Sequence, residues 1–199
     1  YTPHQDAAVH VEDRGFQFSD GIYEVAVCID GTLVDLDPHL DRLERSLAEL
    51  EITPPTSRKV LEMLMKQLLA RNGVRDGLVY IQITRGTAPR DHAFPANPKP
   101  TLVMTTKRVD YLNHKNILDG VRIITTPDLR WARCDIKSVS LLPNCIAKTE
   151  ARRAGAGEAW MVDAEGCVTE GTSSNAWIVT HDDKLLTRAT TANILRGVT

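Results

Sequence analysis

A chain of 199 residues with 42% hydrophobic and 25% charged residues has the make-up of an ordinary globular protein, long enough to bury about 70% of its unfolded surface. A net charge of −2 gives no electrostatic case for nucleic acid or a membrane surface, no apolar run approaches the length of a membrane span, and no signal-peptide pattern opens the chain. Cys28, Cys134, Cys145 and Cys167 are widely spaced without a C-x-x-C pair, which argues against a metal site and a disulfide scaffold and for reduced thiols in the cytoplasm.

The first thirteen residues are polar and lack periodicity, and Asp13-Arg14-Gly15 reads as a turn. From Gly21 to Asp30 the chain alternates: Tyr23, Val25, Val27 and Ile29 face one way, Ile22, Glu24, Ala26 and Cys28 the other, the period of a strand. Asp30-Gly31 predicts a tight hairpin turn, with Thr32 to Leu36 as the returning strand. Asp37-Pro38 then signals a helix start, Asp at the N-cap and Pro at the first position, followed by Leu40, Leu43, Leu47 and Leu50 at helical spacing. Arg42 and Arg45 lie off that stripe. Pro54-Pro55 ends it, and Ser57 opens a second amphipathic helix that stops near Asn72-Gly73. Strands follow at 78–84 and 101–107, separated by a proline-rich loop, 86–100.

A polar stretch, 113–120, reads as a linker, and 121–125 as a strand. Pro143 starts a helix to about Ala154, on which Lys148 reads as a solvated residue. Short strands at 159–162, 167–169, 176–179 and 185–187, with turns at Glu165-Gly166 and Asp182-Asp183, read as an antiparallel meander. The chain opens on Tyr1 rather than Met and closes at Gly197-Val198-Thr199, and both ends read as cut from a longer protein.

Several groups carry chemistry. Lys137 sits between Ile136 and Val139, a few residues after Arg130 and Arg133. A lysine that attacks a carbonyl must be neutral part of the time, and burial or neighbouring cations lower its proton affinity. Taken alone it is one of many surface lysines. In the loop, Arg90 and His92 stand two apart, so in extended backbone both side chains point the same way and suit one carboxylate. Glu170 follows a strand and precedes the hydroxyl-rich Gly171-Thr172-Ser173-Ser174-Asn175, an acid set to face something cationic. The turn at 194–199 offers main-chain N–H groups to a phosphate.

Six segments occur together and in order: Asp13 to Val25, His39-Leu40-Asp41-Arg42-Leu43, Thr84 to His92, Arg133-Cys134-Asp135-Ile136-Lys137-Ser138, Val168 to Asn175, and Ile194 to Thr199. On these, the sequence resembles the class IV (fold type IV) pyridoxal-phosphate aminotransferases, and within them the D-amino acid transaminases, over nearly its whole length. The resemblance implies pyridoxal 5′-phosphate bound covalently by Lys137, which then acts as base and acid in the proton shift. Glu170 would pair with the pyridine nitrogen. Arg42 would hold the phosphate, helped by the N–H groups of Val198 and Thr199 with Ser173 nearby. Tyr23, Arg90 and His92 would trap the substrate α-carboxylate, Arg90 and His92 reaching from the neighbouring subunit of a homodimer. The fold implied is α/β: a small α+β domain over 1–112, a linker over 113–120, and a barrel-like domain over 121–199, incomplete at its C-terminus. The activity implied is ping-pong transfer of an amino group from a D-amino acid to a 2-oxo acid such as 2-oxoglutarate. Branched-chain L-aminotransferases, aminodeoxychorismate lyases and a non-catalytic fragment are the alternatives; the first two do not carry the Arg-x-His pair in this context.

Overall fold

Alternation along Gly21–Ile29 builds the strand β1 around which the first half of the chain assembles. Its inward residues Ile22, Ala26 and Cys28 are fully buried, and Tyr23, Val25, Val27 and Ile29 on the other face are half-buried. In this computed structural model, residues 1–198 are described, and the chain divides into two units, Tyr1–Arg108 and Val109–Thr199.

In the first unit β1 pairs antiparallel with β2 (Thr32–Leu33) and with β3 (Gly77–Thr84), and β3 pairs with β4 (Thr101–Arg108), giving the order β2-β1-β3-β4. The turn between β1 and β2 puts Asp30 at φ 48° and Gly31 at φ 79°. This double left-handed geometry matches the twist of the strands, and Gly31 adopts it without steric cost. Helix α1 spans Arg14–Phe18, α2 spans Leu36–Glu49 and α3 spans Arg58–Asn72. Leu40, Leu43 and Leu47 of α2 and Leu61, Met65 and Leu69 of α3 are buried with Val79, Ile81 and Ile83 of β3. Burying such side chains contributes roughly 1.5–3 kcal/mol each, which makes this layer the main source of the unit's stability.

Three local expectations differ. Asp13-Arg14-Gly15 is not a turn: Asp13 caps α1 by accepting a 2.9 Å hydrogen bond from Gly15 N, and five residues are too few to show periodicity. The strand after the hairpin ends at Leu33, three residues early. Helix α2 already starts at Leu36, with Asp35 rather than Asp37 at its N-cap; Pro38 is tolerated because first-turn N–H groups have no partner within the helix.

The second unit begins with a short helix, α4 (Lys115–Leu118), inside the stretch expected to be a linker. Strands β5 (Ile123–Pro127), β6 (Glu158–Val162) and β7 (Val168–Gly171) form one sheet, and β8 (Trp177–Val179) pairs with β9 (Leu185–Thr187) in a separate hairpin. The expected meander is corrected in one respect: β6–β7 and β8–β9 each pair antiparallel, but in separate sheets, while β5 and β6 run parallel and the crossover between them carries the Lys137 segment and α5 (Leu142–Arg153). Parallel pairing demands such a crossover, whereas a hairpin cannot supply it. Small residues let α5 lie close to the sheet: Ala147, Ala151, Ala156 and Ala159 pack with Met161 and Ile124. Among the described residues no helix is long and apolar enough to cross a membrane, and no group of three or more His, Cys, Asp and Glu is arranged to hold a metal ion. All four cysteines are free thiols.

Candidate active site

Residues from three stretches of the second unit are stitched together. Asp135 N donates to Ala192 O at 3.2 Å, and Arg130 Nη2 to Asn193 O at 3.2 Å, so the segment leading to Lys137 runs beside 192–195. Leu195 N in turn donates to both oxygens of Glu170 at 3.2 Å. Lys137 itself is half-buried, between buried Ile136 and Ser138.

Glu170 ends up in β7 with only 6% of its surface exposed. Arg130 donates to its Oε1 through Nη1, and Asn175 Nδ2 donates to its Oε2 at 3.1 Å. Arg130 is also held by Asp128, whose oxygens accept from Nε at 2.9 Å and Nη2 at 2.7 Å. Two carboxylates thus share one guanidinium. Burial pushes the Glu170 carboxyl above the usual carboxylate range, and Arg130 offsets this only in part. For Asp128 burial also pushes upward, but hydrogen bonds from Arg130 and the Thr169 hydroxyl win and hold it below its ordinary value. Cys134, in the same surroundings, has its thiol pushed up to about 11, chiefly by burial. It stays protonated at neutral pH and is no nucleophile.

Arg130 and Arg133 stand close before Lys137 in the sequence, as cations expected to lower its proton affinity. Both are instead neutralised, Arg130 as above and Arg133 by Asp135 at 2.9 Å. Lys148 is corrected as well: its Nζ donates to Gly157 O at 2.5 Å and lies 3.3 Å from a Glu158 carboxylate oxygen, so it is a tied structural residue rather than a solvated one. The hydroxyl loop is anchored from below. Buried Thr172 donates through Oγ1 to Glu158, and Asn144 Nδ2 donates to Thr172 O at 2.9 Å, which leaves Ser173 exposed at the loop's tip. At the turn, Asn175 Nδ2 donates to Leu195 O at 2.8 Å, and any side chain at Gly197 would run into Asn175 Oδ1. Only glycine lets the turn come this close to the asparagine that also binds Glu170. Val198 follows this turn, half-buried; Thr199 lies outside the described residues.

The first unit holds the other candidates. Arg42, on α2, donates through Nε at 2.9 Å and Nη2 at 2.7 Å to Glu24 of β1, a bidentate grip on a carboxylate only 1% exposed. His39 Nδ1 lies 3.0 Å from the same carboxylate. The sequence places Glu24 on the inward face of the strand and His39 in a family segment, but assigns neither a role. The signal was present, because a charged residue on the apolar face of a strand must find a buried partner. Tyr23 stands on the opposite face of β1, stacked on Tyr80 with ring centroids 5.7 Å apart. Arg90 and His92 both rest on Phe18: the guanidinium lies 4.6 Å from its ring centroid and the imidazole ring 5.4 Å.

A family model described as class IV amino-transferase matches residues 21–199. The chain is 43% identical over 194 residues to a D-alanine aminotransferase of Bacillus licheniformis, covering 98% of this chain and 68% of that protein. It is 42% identical over 196 residues to a D-alanine aminotransferase of Staphylococcus epidermidis, with the same coverage. Among solved structures, the branched-chain amino acid aminotransferase of Escherichia coli superposes with a TM-score of 0.87 at 20% identity, covering 98% of this chain and 67% of that one. A hypothetical aminotransferase of Mycobacterium tuberculosis in its PLP-bound form gives 0.82 at 24% identity, covering 99% and 71%. At these identities the structural matches speak for the fold alone.

Proposed function

The chain belongs to the class IV aminotransferase family, and we propose that it transfers the amino group of a D-amino acid such as D-alanine to a 2-oxo acid such as 2-oxoglutarate, using pyridoxal 5′-phosphate. The donor loses its amino group and takes a carbonyl oxygen from water; the acceptor gives up its oxygen as water and takes the amino group. The reading rests on one observation above all: a buried carboxylate, Glu170, is tied into the same cluster as the Lys137 segment and the 195–198 turn.

The donor set suits the cofactor. A half-buried lysine, a buried acid with raised proton affinity and a close-packed glycine turn answer, in order, to an aldehyde, a ring nitrogen and a phosphate. When bound, pyridoxal phosphate supplies that aldehyde for covalent attachment and a protonated ring that draws electrons from the substrate Cα. Lys137 Nζ would take the proton from the substrate Cα and carry it through the shift as base and then acid. Glu170 keeps a proton on the ring nitrogen, and its raised pKa makes it a willing partner in that hydrogen bond. Arg42, aimed by Glu24, would hold the phosphate, a role the Ser173 hydroxyl and the main chain at Val198 and Thr199 would share. Tyr23, Arg90 and His92 bind the substrate α-carboxylate, and the side on which they hold it selects the D isomer. A homodimer in the cytoplasm completes the reading: Arg90 and His92 serve the neighbouring subunit's site, and the free thiols suit a reducing compartment.

Likeness to D-alanine aminotransferases favours this reading over a branched-chain L-aminotransferase or an aminodeoxychorismate lyase. The test is a visible spectrum of the cofactor-loaded enzyme titrated with D-alanine and with L-alanine. The band of the lysine-bound cofactor should bleach with the D isomer alone. Bleaching by L-alanine would keep the family and overturn the handedness. No band at all would overturn the assignment of Lys137 and favour a non-catalytic fragment.

A further inference from the structure

Arg90 and His92 are exposed side chains on a long loop, and such side chains are free to wander unless something fixes the main chain beneath them. A two-pronged grip on a carboxylate loses its advantage unless both prongs are fixed in advance. The structure supplies a fixture. Arg14 of α1 is 3% exposed and donates through Nη1 to Asp91 O at 2.6 Å and through Nη2 to His92 O at 3.4 Å. Its Nε donates to Asp20 Oδ2 at 2.7 Å. The same oxygen accepts from Arg85 Nε at 2.8 Å, and Arg85, 2% exposed, is further satisfied by Leu50 O at 2.6 Å and Glu51 O at 3.0 Å.

Two buried guanidiniums therefore share one carboxylate. The surplus positive charge is solvated by carbonyl oxygens and aromatic faces instead of water: Arg14 lies 4.8 Å from the Phe18 centroid, and Arg85 lies 3.6 Å from that of Phe94. The carbonyls of Asp91 and His92 belong to that solvation. If the loop moved away, a buried cation would be left uncovered, which is among the costliest events in a protein interior. Arg14 grips the loop by its carbonyls rather than its side chains and so fixes the backbone from which the prongs project; Arg90 Nη1 meanwhile donates to Gln17 Oε1 at 3.4 Å. Phe18 adds the floor on which both prongs lie.

We infer that Arg14 is a positioning residue for the substrate carboxylate: anchored by Asp20, it sets where Arg90 and His92 stand, with Phe18 as the surface beneath them. The inference rests on the reading of Arg90 and His92 as substrate-binding residues, and the experiment separates the two. Arg14→Lys keeps the charge but cannot span Asp20 and two carbonyls at once. In the cofactor-loaded enzyme, KM for D-alanine should rise about tenfold with kcat within about twofold. Amide hydrogen exchange at 91–93 should quicken about tenfold, while β1 and β3 keep their protection. Phe18→Leu, a milder change should Arg14→Lys fail to fold, should raise KM about threefold with the same exchange pattern. If loop exchange quickens but KM stays put, or if exchange quickens across β1 and β3 while KM and kcat fall off together, Arg14 is merely structural and the inference is overturned. Arg90→Ala is the reference: if it raises KM and Arg14→Lys does not, the positioning role fails while the substrate reading stands; if neither does, the substrate reading itself fails and takes the positioning role with it.

Discussion

Each unit buries one glutamate on a strand and binds it to an arginine, yet the two pairs are balanced in opposite ways. In the first unit the buried Glu24 carboxylate accepts from Arg42 and lies beside His39, two nitrogen groups gathered on one acid. In the second a single guanidinium, Arg130, faces Asp128 and Glu170, so acids outnumber cations. A donor-rich cluster suits an anion and an acid-rich cluster suits a cation or a shared proton. Under the proposed function the first pair would serve the phosphate and the second the ring nitrogen. On that proposal Arg42 would be the working member of the first pair with Glu24 as its support, and Glu170 the working member of the second with Arg130 as its support.

The comparison presumes that bond-making belongs to the second unit, and Lys137→Ala is the strongest way to break it. We expect a fall in kcat of about 10⁴-fold or more, because nucleophile and proton carrier go together. Borohydride reduction followed by mass measurement should find the cofactor on the wild type and none on the variant. Steady turnover by the variant would move the nucleophile elsewhere; Lys148 is the alternative, although its bonds to Gly157 and Glu158 speak against it.

Next in size are the two glutamates. Glu170→Gln should lower kcat about hundredfold, comparable to losing one well-placed group that stabilises charge in the transition state. Binding of cofactor should change little. Glu24→Gln should show the reverse pattern: cofactor affinity weaker by about tenfold as Arg42 loses its anchor, with kcat at saturating cofactor within about twofold. It should also cost about 3 kcal/mol of stability in urea unfolding, since a buried ion pair loses one partner. If the two variants gave the same pattern, the division of labour between the pairs would be wrong.

How far the sequence foretold this follows the range of the interactions. Strand β1, the Asp30-Gly31 turn and the span of α3 were legible because alternation and caps are written within a few residues. The parallel pairing of β5 with β6 was not, because nothing in either strand's local pattern says which way its neighbour runs. Glu170 was read as an acid facing something cationic, but its partner Arg130 lies 40 residues away and was misread as a free cation beside Lys137. Asp128-x-Arg130 was in plain view, however, and in extended backbone that spacing puts both side chains on one side. The Arg14–Asp20–Arg85 cluster was hidden for another reason. Arg14 reads as part of a turn, and nothing local singles out Asp20 or Arg85; only packing shows that both guanidiniums are buried around the Asp20 carboxylate.

The smallest effect sharpens the contrast inside the second pair itself. Asp128 and Glu170 share Arg130, yet burial wins for Glu170 and hydrogen bonding wins for Asp128. Their contributions to stability must then run in opposite directions with pH. Glu170 has a folded-state pKa above its ordinary 4.5, so its contribution is full below that value and is lost as pH rises through the folded pKa. Asp128 has a folded-state pKa below 3.8, so its contribution is full above that value and is lost as pH falls. Urea unfolding of the chain without cofactor, from about pH 3 to 7, should therefore separate Glu170→Gln from Asp128→Asn. Relative to wild type, the glutamine variant should gain stability as pH climbs above 4.5 and hold a constant difference below it. The asparagine variant should show its full deficit above 3.8, and the deficit should shrink as pH falls further. Matching slopes would mean that Arg130 serves both acids alike and that Glu170 has no raised proton affinity to offer a ring nitrogen.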